Sequence, residues 1–265
     1  MTDPKPGTAA VQGRLWGARA DAWARIQQHT TRPSWAAVLA ELAPVSGKTL
    51  LDVGCGAGGF AELAVHAGAT VAGIDAATPM IEYARRLVPD AGFRVGDLQD
   101  LPYDQASFDA VTGFNAFQYA ADPAAALREA ARVTKSGGRV ITMIWGTAAE
   151  CEASTYLAAI GRLLPARPPG APGPFALSEP GVLEALLTKA GLTPTPRRAV
   201  SAPWEYPDEE TMLDGLMSSG PAVAAIENTS EQEVRRALHD VCAPYRRDDG
   251  SYRMENTFHH IICSV

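Results

Sequence analysis

The sequence predicts an α/β fold built on a doubly wound, mostly parallel sheet. Two observations lead there: short apolar runs alternate with helical patterns from Lys48 to Trp145, and a glycine-rich turn joins the first such run to the first helix. Alternation of this kind needs crossover helices, which set parallel strands side by side with helices on both faces. At 265 residues the chain suits one large domain, or one domain with a sizeable insertion, around a real core.

Each element has its own justification. Residues 14–43 read as helix in two pieces broken before Pro33, because proline disfavours helical backbone in the residue ahead of it. Lys48–Val53 is a short apolar run ending at glycines, hence a buried strand. Phe60–His66 and Pro79–Val88 read as helices, and Thr70–Ile74, Phe93–Val95, Phe108–Phe114 and Arg139–Trp145 as strands. Pro123–Thr134 supplies a further helix, closed by the turn Lys135-Ser136-Gly137-Gly138. Beyond Trp145 the rhythm loosens. Residues 165–177, PARPPGAPGPFAL, hold too much proline and glycine for ordinary helix or strand. Ser178–Ala190 reads as helix, with Ser178 as N-cap and Gly191 just past the end. Arg197–Tyr206 reads as a strand, 208–245 as helices broken near Gly220-Pro221, and Tyr252–Ser264 as the last strand. The chain thus divides into an N-terminal helical cover (1–47), a core (48–146) and a remainder (147–265) that completes the sheet and carries lid insertions at 147–177 and 207–250.

Charge and composition exclude several classes. A formal charge of −7 without a dense Lys/Arg cluster argues against nucleic-acid binding, which needs a basic face. The start, MTDPKPGTAA, has no apolar signal region, and no apolar run approaches the ~18 residues of a membrane span. Cys55, Cys151, Cys242 and Cys263 are scattered, with no CxxC pair, which reads as reduced, cytoplasmic and metal-free.

The stretch LLDVGCGAGGF, residues 50–60, satisfies G-x-G-x-x-G through Gly54, Gly56 and Gly59. Such a turn lets a ligand approach the backbone at a helix N-terminus, and dinucleotides use it too. Asp52 separates the uses: a carboxylate there repels a pyrophosphate but suits a ligand carrying an ammonium and a sulfonium. Asp75, ending the second strand, can accept from two ribose hydroxyls, as in nicotinamide enzymes. Asp97 follows the third strand, at the sheet edge where an adenine amino group would lie.

The succession Asp52-Val53-Gly54-Cys55-Gly56, Gly73-Ile74-Asp75, Gly96-Asp97 and Phe108-Asp109 resembles the motifs of class I S-adenosylmethionine-dependent methyltransferases. Leu127–Val133 with Ser136-Gly137-Gly138 is similar to that family's segment before its fifth strand, so the likeness covers roughly residues 48–146. It implies a Rossmann-like, seven-stranded sheet with an antiparallel last strand and a helical lid. It also implies S-adenosylmethionine as cofactor and a small-molecule methyl acceptor. By the same likeness Asp52 orients the ammonium, Gly54 and Gly56 give close approach, and Asp75, with Ala76 beside it, binds the ribose. Met80 packs on adenine, Asp97 accepts from its amino group, the Leu98 backbone meets the ring, and Asn115 lies beside the methionine moiety. Trp23 and Arg32 stand where related enzymes put an aromatic cover and a guanidinium for the cofactor carboxylate.

Gln118, Trp145, Trp204 and Tyr206 are candidate acceptor contacts, and Tyr119 and Glu205 candidate bases. The abundant alanine, proline and leucine with Trp204, Tyr206 and Phe175 suggest an apolar or aromatic acceptor. Asp109 and the cysteines read as structural. The pair His259-His260 reads as non-catalytic: neighbours in a strand face opposite ways, and His259 lies seven residues past Tyr252, roughly 23 Å along a strand whose start faces the site. The protein is expected to be a monomer or homodimer. Two rivals stay open: a NAD-dependent oxidoreductase, and a cofactor-binding protein without catalysis.

Overall fold

The computed structural model describes residues 7–166 and 173–265. The N-terminal part forms three short helices, α1 (Ala9–Gly17), α2 (Ala20–Arg25) and α3 (Arg32–Leu42), with a 3₁₀ turn at Gln27–Thr31. The helical pattern therefore starts five residues earlier than Arg14, and Pro33 sits in the first turn of α3, where its missing N–H costs nothing.

Strand and helix then alternate as β1 (Thr49–Val53), α4 (Gly59–His66), β2 (Thr70–Asp75), α5 (Thr78–Leu87), β3 (Gly92–Val95), β4 (Phe108–Phe114), α6 (Pro123–Val133) and β5 (Thr134–Trp145). Asp122 caps α6, accepting from the backbone of Ala124 and Ala125. The glycine turn expected after Lys135 lies within β5 as a bulge. Pairing to β4 jumps from Phe108–Thr134 to Ala110–Arg139, with Gly137 at φ 75°.

Downstream come α7 (Ser154–Leu163), α8 (Val182–Lys189), β6 (Thr193–Pro194), β7 (Arg198–Ser201), β8 (Trp204–Tyr206), α9 (Glu209–Met217), α10 (Gly220–Asn228), α11 (Glu231–Cys242), β9 (Tyr252–Met254) and β10 (Thr257–Ser264). Seven strands run in the order β3-β2-β1-β4-β5-β10-β6, and β7 pairs β10 along the same edge as β6. Pairs among β1 to β5 are parallel, whereas β10 is antiparallel to β5. The Rossmann-like sheet with its reversed strand is as the sequence implied.

Three details differ from the sequence reading. Ser178 does not cap α8, which starts at Val182 after Gly181 in the left-handed region; the buried Ser178 hydroxyl donates instead to the Trp145 carbonyl. The run Arg197–Tyr206 breaks at Ala202-Pro203, so Trp204–Tyr206 leaves the sheet. The last run breaks at Glu255-Asn256, and its first piece, β9, pairs β8 as a separate ribbon. Asn256 fixes that break, its side chain accepting from the Ala153 backbone while its carbonyl accepts from Ala202.

The second break voids the roughly 23 Å separation expected along one strand. His259 is the third residue of β10 and pairs with Ile144, near the carboxyl end of β5. The alternation does hold: His259 faces Glu150 and the buried His260 faces Glu41 on α3.

Of the expected lid insertions, 147–177 includes α7 and six residues, 167–172, outside those described, while 207–250 holds α9 to α11. These helices enclose a core of their own, with Tyr156, Met212, Leu216 and Leu238 packed against Trp145, Trp204 and Phe258. Among the described residues no helix is long and apolar enough to cross a membrane.

Candidate functional site

The strand order reverses between β1 and β4, and in open α/β sheets ligands bind beyond the carboxyl ends of the strands at such a point. A cavity of about 780 Å³, the space at its mouth included, lies there. Its floor is the turn after β1. Gly54 has φ 70° and Gly56 φ 53°, conformations that favour glycine. A Cβ on Gly54 would lie 2.5 Å from that of Ala116, so the loop after β4 presses directly on the turn.

Asp75 ties this floor to β2. Its Oδ2 accepts from the Gly56 amide at 2.9 Å and its Oδ1 from Ala77 at 2.9 Å. Burial pushes its pKa up, against the pull of those amides. Asp97, beyond β3, accepts through Oδ1 from the Gln99 amide at 2.9 Å. Both carboxylates line the cavity, as do Ala76, Met80, Leu98, Trp23, Asn115 and Tyr119, with Trp23 packed in one cluster with Met80. Asn115 follows β4 with φ 50°, its amide held by the Met143 carbonyl. Gln118 stands behind it, donating from Nε2 to Asn115 Oδ1 at 3.3 Å.

Asp52 is not on the wall. It lies beneath the turn, 2% exposed, and accepts from Thr112 Oγ1 at 2.8 Å. Burial raises its pKa to about 7, with the Thr112 hydrogen bond opposing and the charge of Asp75 adding. Burial likewise pushes the Tyr119 phenol up to about 12.

Five residues read as site groups stand elsewhere. Arg32 is exposed and faces Glu62 at 3.8 Å. Trp145 and Trp204 pack on one another, ring centroids 5.4 Å apart, inside the core of the C-terminal helices. Tyr206 is buried in that core and donates to Gln27 Oε1 at 2.9 Å. Glu205 faces outward on the β8–β9 ribbon, paired with Arg253. Trp204, Glu205 and Tyr206 share a cause: past Pro203 they leave the main sheet and their side chains follow the ribbon. Asp109 is structural, held by Thr49 and Lys135 at the far end of the sheet, with its pKa pulled down to about 2.

One wall was missed from sequence. Thr8, Ala9, Gln12 and Trp16, from α1 and its start, close the cavity from above. The signal was Gly13, unfavourable in a helix interior unless a neighbour needs the room, with Gly17 on the same face at the helix end. A Cβ on Gly13 would lie 2.3 Å from the Ala76 carbonyl oxygen, and one on Gly17 would lie 3.1 Å from Pro79.

A methyltransferase-domain family model matches residues 51–142, β1 through most of β5. A ubiquinone biosynthesis O-methyltransferase of Xanthomonas euvesicatoria is 32% identical over 191 residues, covering 69% of this chain and 77% of that protein. One of Paracidovorax citrulli is 39% identical over 105 residues, but the chain spans only 44% of its length, with 37% of this chain aligned. The crystal structure of the Bacillus subtilis YcgJ protein superposes with a TM-score of 0.58 at 21% identity, over 88% of this chain and 99% of that one, which speaks to the fold. With its glycine turn, its acidic strand ends and a relative matched over most of its length, the chain belongs to the class I S-adenosylmethionine-dependent methyltransferases.

Proposed function

We propose that this chain transfers a methyl group from S-adenosylmethionine to an oxygen, nitrogen or carbon of a small molecule, by in-line displacement with alignment as the main source of catalysis. The observation that carries the reading is the convergence of Gly54, Gly56, Asp75, Met80 and Asp97 on one cavity at the switch point. These residues fit the cofactor, whose sulfonium methyl is already activated and so needs little chemical help. Gly54 and Gly56, at φ 70° and 53°, give the turn the course by which its backbone approaches the methionine portion. Asp75 spends one lone pair of each oxygen on a backbone amide and keeps the others for ribose hydroxyls. Met80 and Leu98 sandwich the adenine, and Asp97 accepts from its amino group. Asp52 presents its charge to the ammonium from beneath the turn, and Asn115 holds the methionine end from the side. Trp23 covers the site and excludes water. Arg32 reaches the carboxylate only by leaving Glu62.

Alignment fits the groups near the reacting end. A phenol with a pKa of about 12 is a hydrogen-bond donor at neutral pH rather than a base, so Tyr119 orients. The names of the two relatives favour oxygen as the acceptor atom.

Calorimetry against S-adenosylmethionine, S-adenosylhomocysteine and NAD tests the reading. Binding of both sulfur nucleotides with no heat from NAD is expected; saturable NAD binding would replace it with an oxidoreductase. Binding followed by no methyl loss across an acceptor panel would leave a cofactor-binding protein.

A further inference from the structure

We infer that Trp16, Trp23 and Tyr119 form an aromatic-walled subsite that takes a planar, uncharged aromatic acceptor. The inference rests on the methyltransferase reading, which puts the transferred group at the glycine-turn end of the cavity.

Three rings from three elements meet over the cavity, Trp23 beside Gly56 of the turn. Trp16 comes from α1, Trp23 from α2 and Tyr119 from the 3₁₀ turn after β4, and all three line the cavity. Trp16 stands nearly at right angles to both neighbours, at 85° to Trp23 with centroids 4.9 Å apart and at 77° to Tyr119 with centroids 5.5 Å apart. Edge-to-face packing of this kind is an attractive geometry, so the walls hold each other in place. Trp23 also fixes their position relative to the cofactor turn, since its indole nitrogen would be 3.5 Å from a Cβ on Gly56.

The back wall is anchored rather than draped. Trp16 Nε1 donates to Gln12 Oε1 at 3.1 Å, which satisfies its one polar atom and leaves an apolar ring surface. Its ring lies on Gly220 so closely that a Cβ there would come within 2.6 Å. Arg14 of α1 pairs with Glu227 of α10, and Arg19, just ahead of α2, with Glu231 of α11. Thr8 Oγ1 donates to the Tyr119 carbonyl at 2.5 Å, joining α1 to the third wall.

The chemistry selects among acceptors. Aromatic faces attract both flat rings and cations. A cation would enter beside the sulfonium and ammonium of the cofactor and be repelled by them. An anion would lose its water with no Lys, Arg or His among the described residues lining the cavity to replace it. A neutral flat ring incurs neither cost, and packs its faces and edges on all three walls.

The test uses the whole chain saturated with S-adenosylhomocysteine and two probes of similar size, the planar phenol naphthol and its ring-saturated counterpart decalinol. Calorimetry should give naphthol at least about a tenfold tighter binding than decalinol. Trp16→Leu should shrink that ratio about tenfold, and Trp16→Phe should restore it to within about threefold. Tyr119→Leu, on a separate element, should shrink it as well and serves where the Trp16 variant fails to fold. A ratio near one in the unaltered chain, or a ratio unmoved in Trp16→Leu and Tyr119→Leu, overturns the subsite while leaving the cofactor reading intact. Failure to bind S-adenosylhomocysteine at all overturns both.

Discussion

Thr112 and Asp52 sit side by side on β4 and β1, paired in register, with the hydroxyl donating to the carboxyl at 2.8 Å and neither residue open to water. That single hydrogen bond does not offset burial, so the Asp52 pKa rises to about 7 from an ordinary value of 3.8. If a bound ammonium draws the carboxylate form, binding releases a proton wherever the free protein holds one, which is below about pH 7. S-adenosylhomocysteine affinity should therefore fall as pH drops below 7, by up to tenfold per unit. Calorimetry in buffers of different ionisation heat should count about one proton released near pH 6. In Asp52→Asn the affinity should be lower and flat across that range.

The same group makes the free fold less stable as pH rises. A carboxyl whose folded pKa lies above its unfolded one favours folding below the unfolded value, and that advantage disappears as pH climbs from about 4 to about 7. Thermal melts of Asp52→Asn across this window should lack that part of the decline.

Asp75→Ala should weaken S-adenosylhomocysteine binding by about 1.5–3 kcal/mol, since it removes charge-assisted acceptors from the ribose and frees the Gly56 amide. Calorimetry of the folded variant checks this. Unchanged affinity would remove Asp75 from the ribose.

Gly54→Ala should cost about 1–3 kcal/mol of stability, because φ of 70° and a contact 2.5 Å from the Ala116 Cβ both resist a side chain. A lowered Tm with a matching loss of cofactor affinity is the expected pair of observations. Loss of stability alone would say that the turn is structural only.

Tyr119→Phe should lower the methyl-transfer rate constant by less than about tenfold, as losing an orienting donor does. His259→Ala and His260→Ala should act through stability, because the rings contact Glu150 and Glu41 rather than the cavity. Rates at saturating cofactor, beside melts of each variant, separate the effects. A collapse of about 10⁴-fold in a folded histidine variant would place general-base chemistry at β10.

The sheet was legible because its buried strands contain apolar runs, two of which stop at glycine or an acid: Leu50–Val53 ahead of Gly54, and Thr70–Asp75 at its own carboxylate. The cofactor floor was legible for a related reason: Gly54, Gly56, Asp75 and Asp97 are local to strand ends, so sequence position fixes their place in space. Trp204, Glu205 and Tyr206 were not, because a break at Pro203 reassigns them to a ribbon, and local pattern does not report which partner a short strand takes. Trp16 was obscured differently. Its partners Tyr119 and Gly220 are about a hundred and two hundred residues away, and only Gly13 and Gly17 hinted that something packs on α1.

The packing of α1 has a temporal meaning. This helix rests on Ala76 and Pro79 through Gly13 and Gly17, and on α10 through Trp16. A nucleotide beneath it would exchange more easily with the helix lifted, and a lifted helix would take one ring of the proposed acceptor wall with it. Exchange and methyl transfer would then take turns, and a burst of product in the first turnover is the sign expected if departure of the spent cofactor sets the pace. Salt loosens an exposed pair such as Arg14–Glu227, so a moderately salted buffer should quicken the cycle where a tighter helix would slow it.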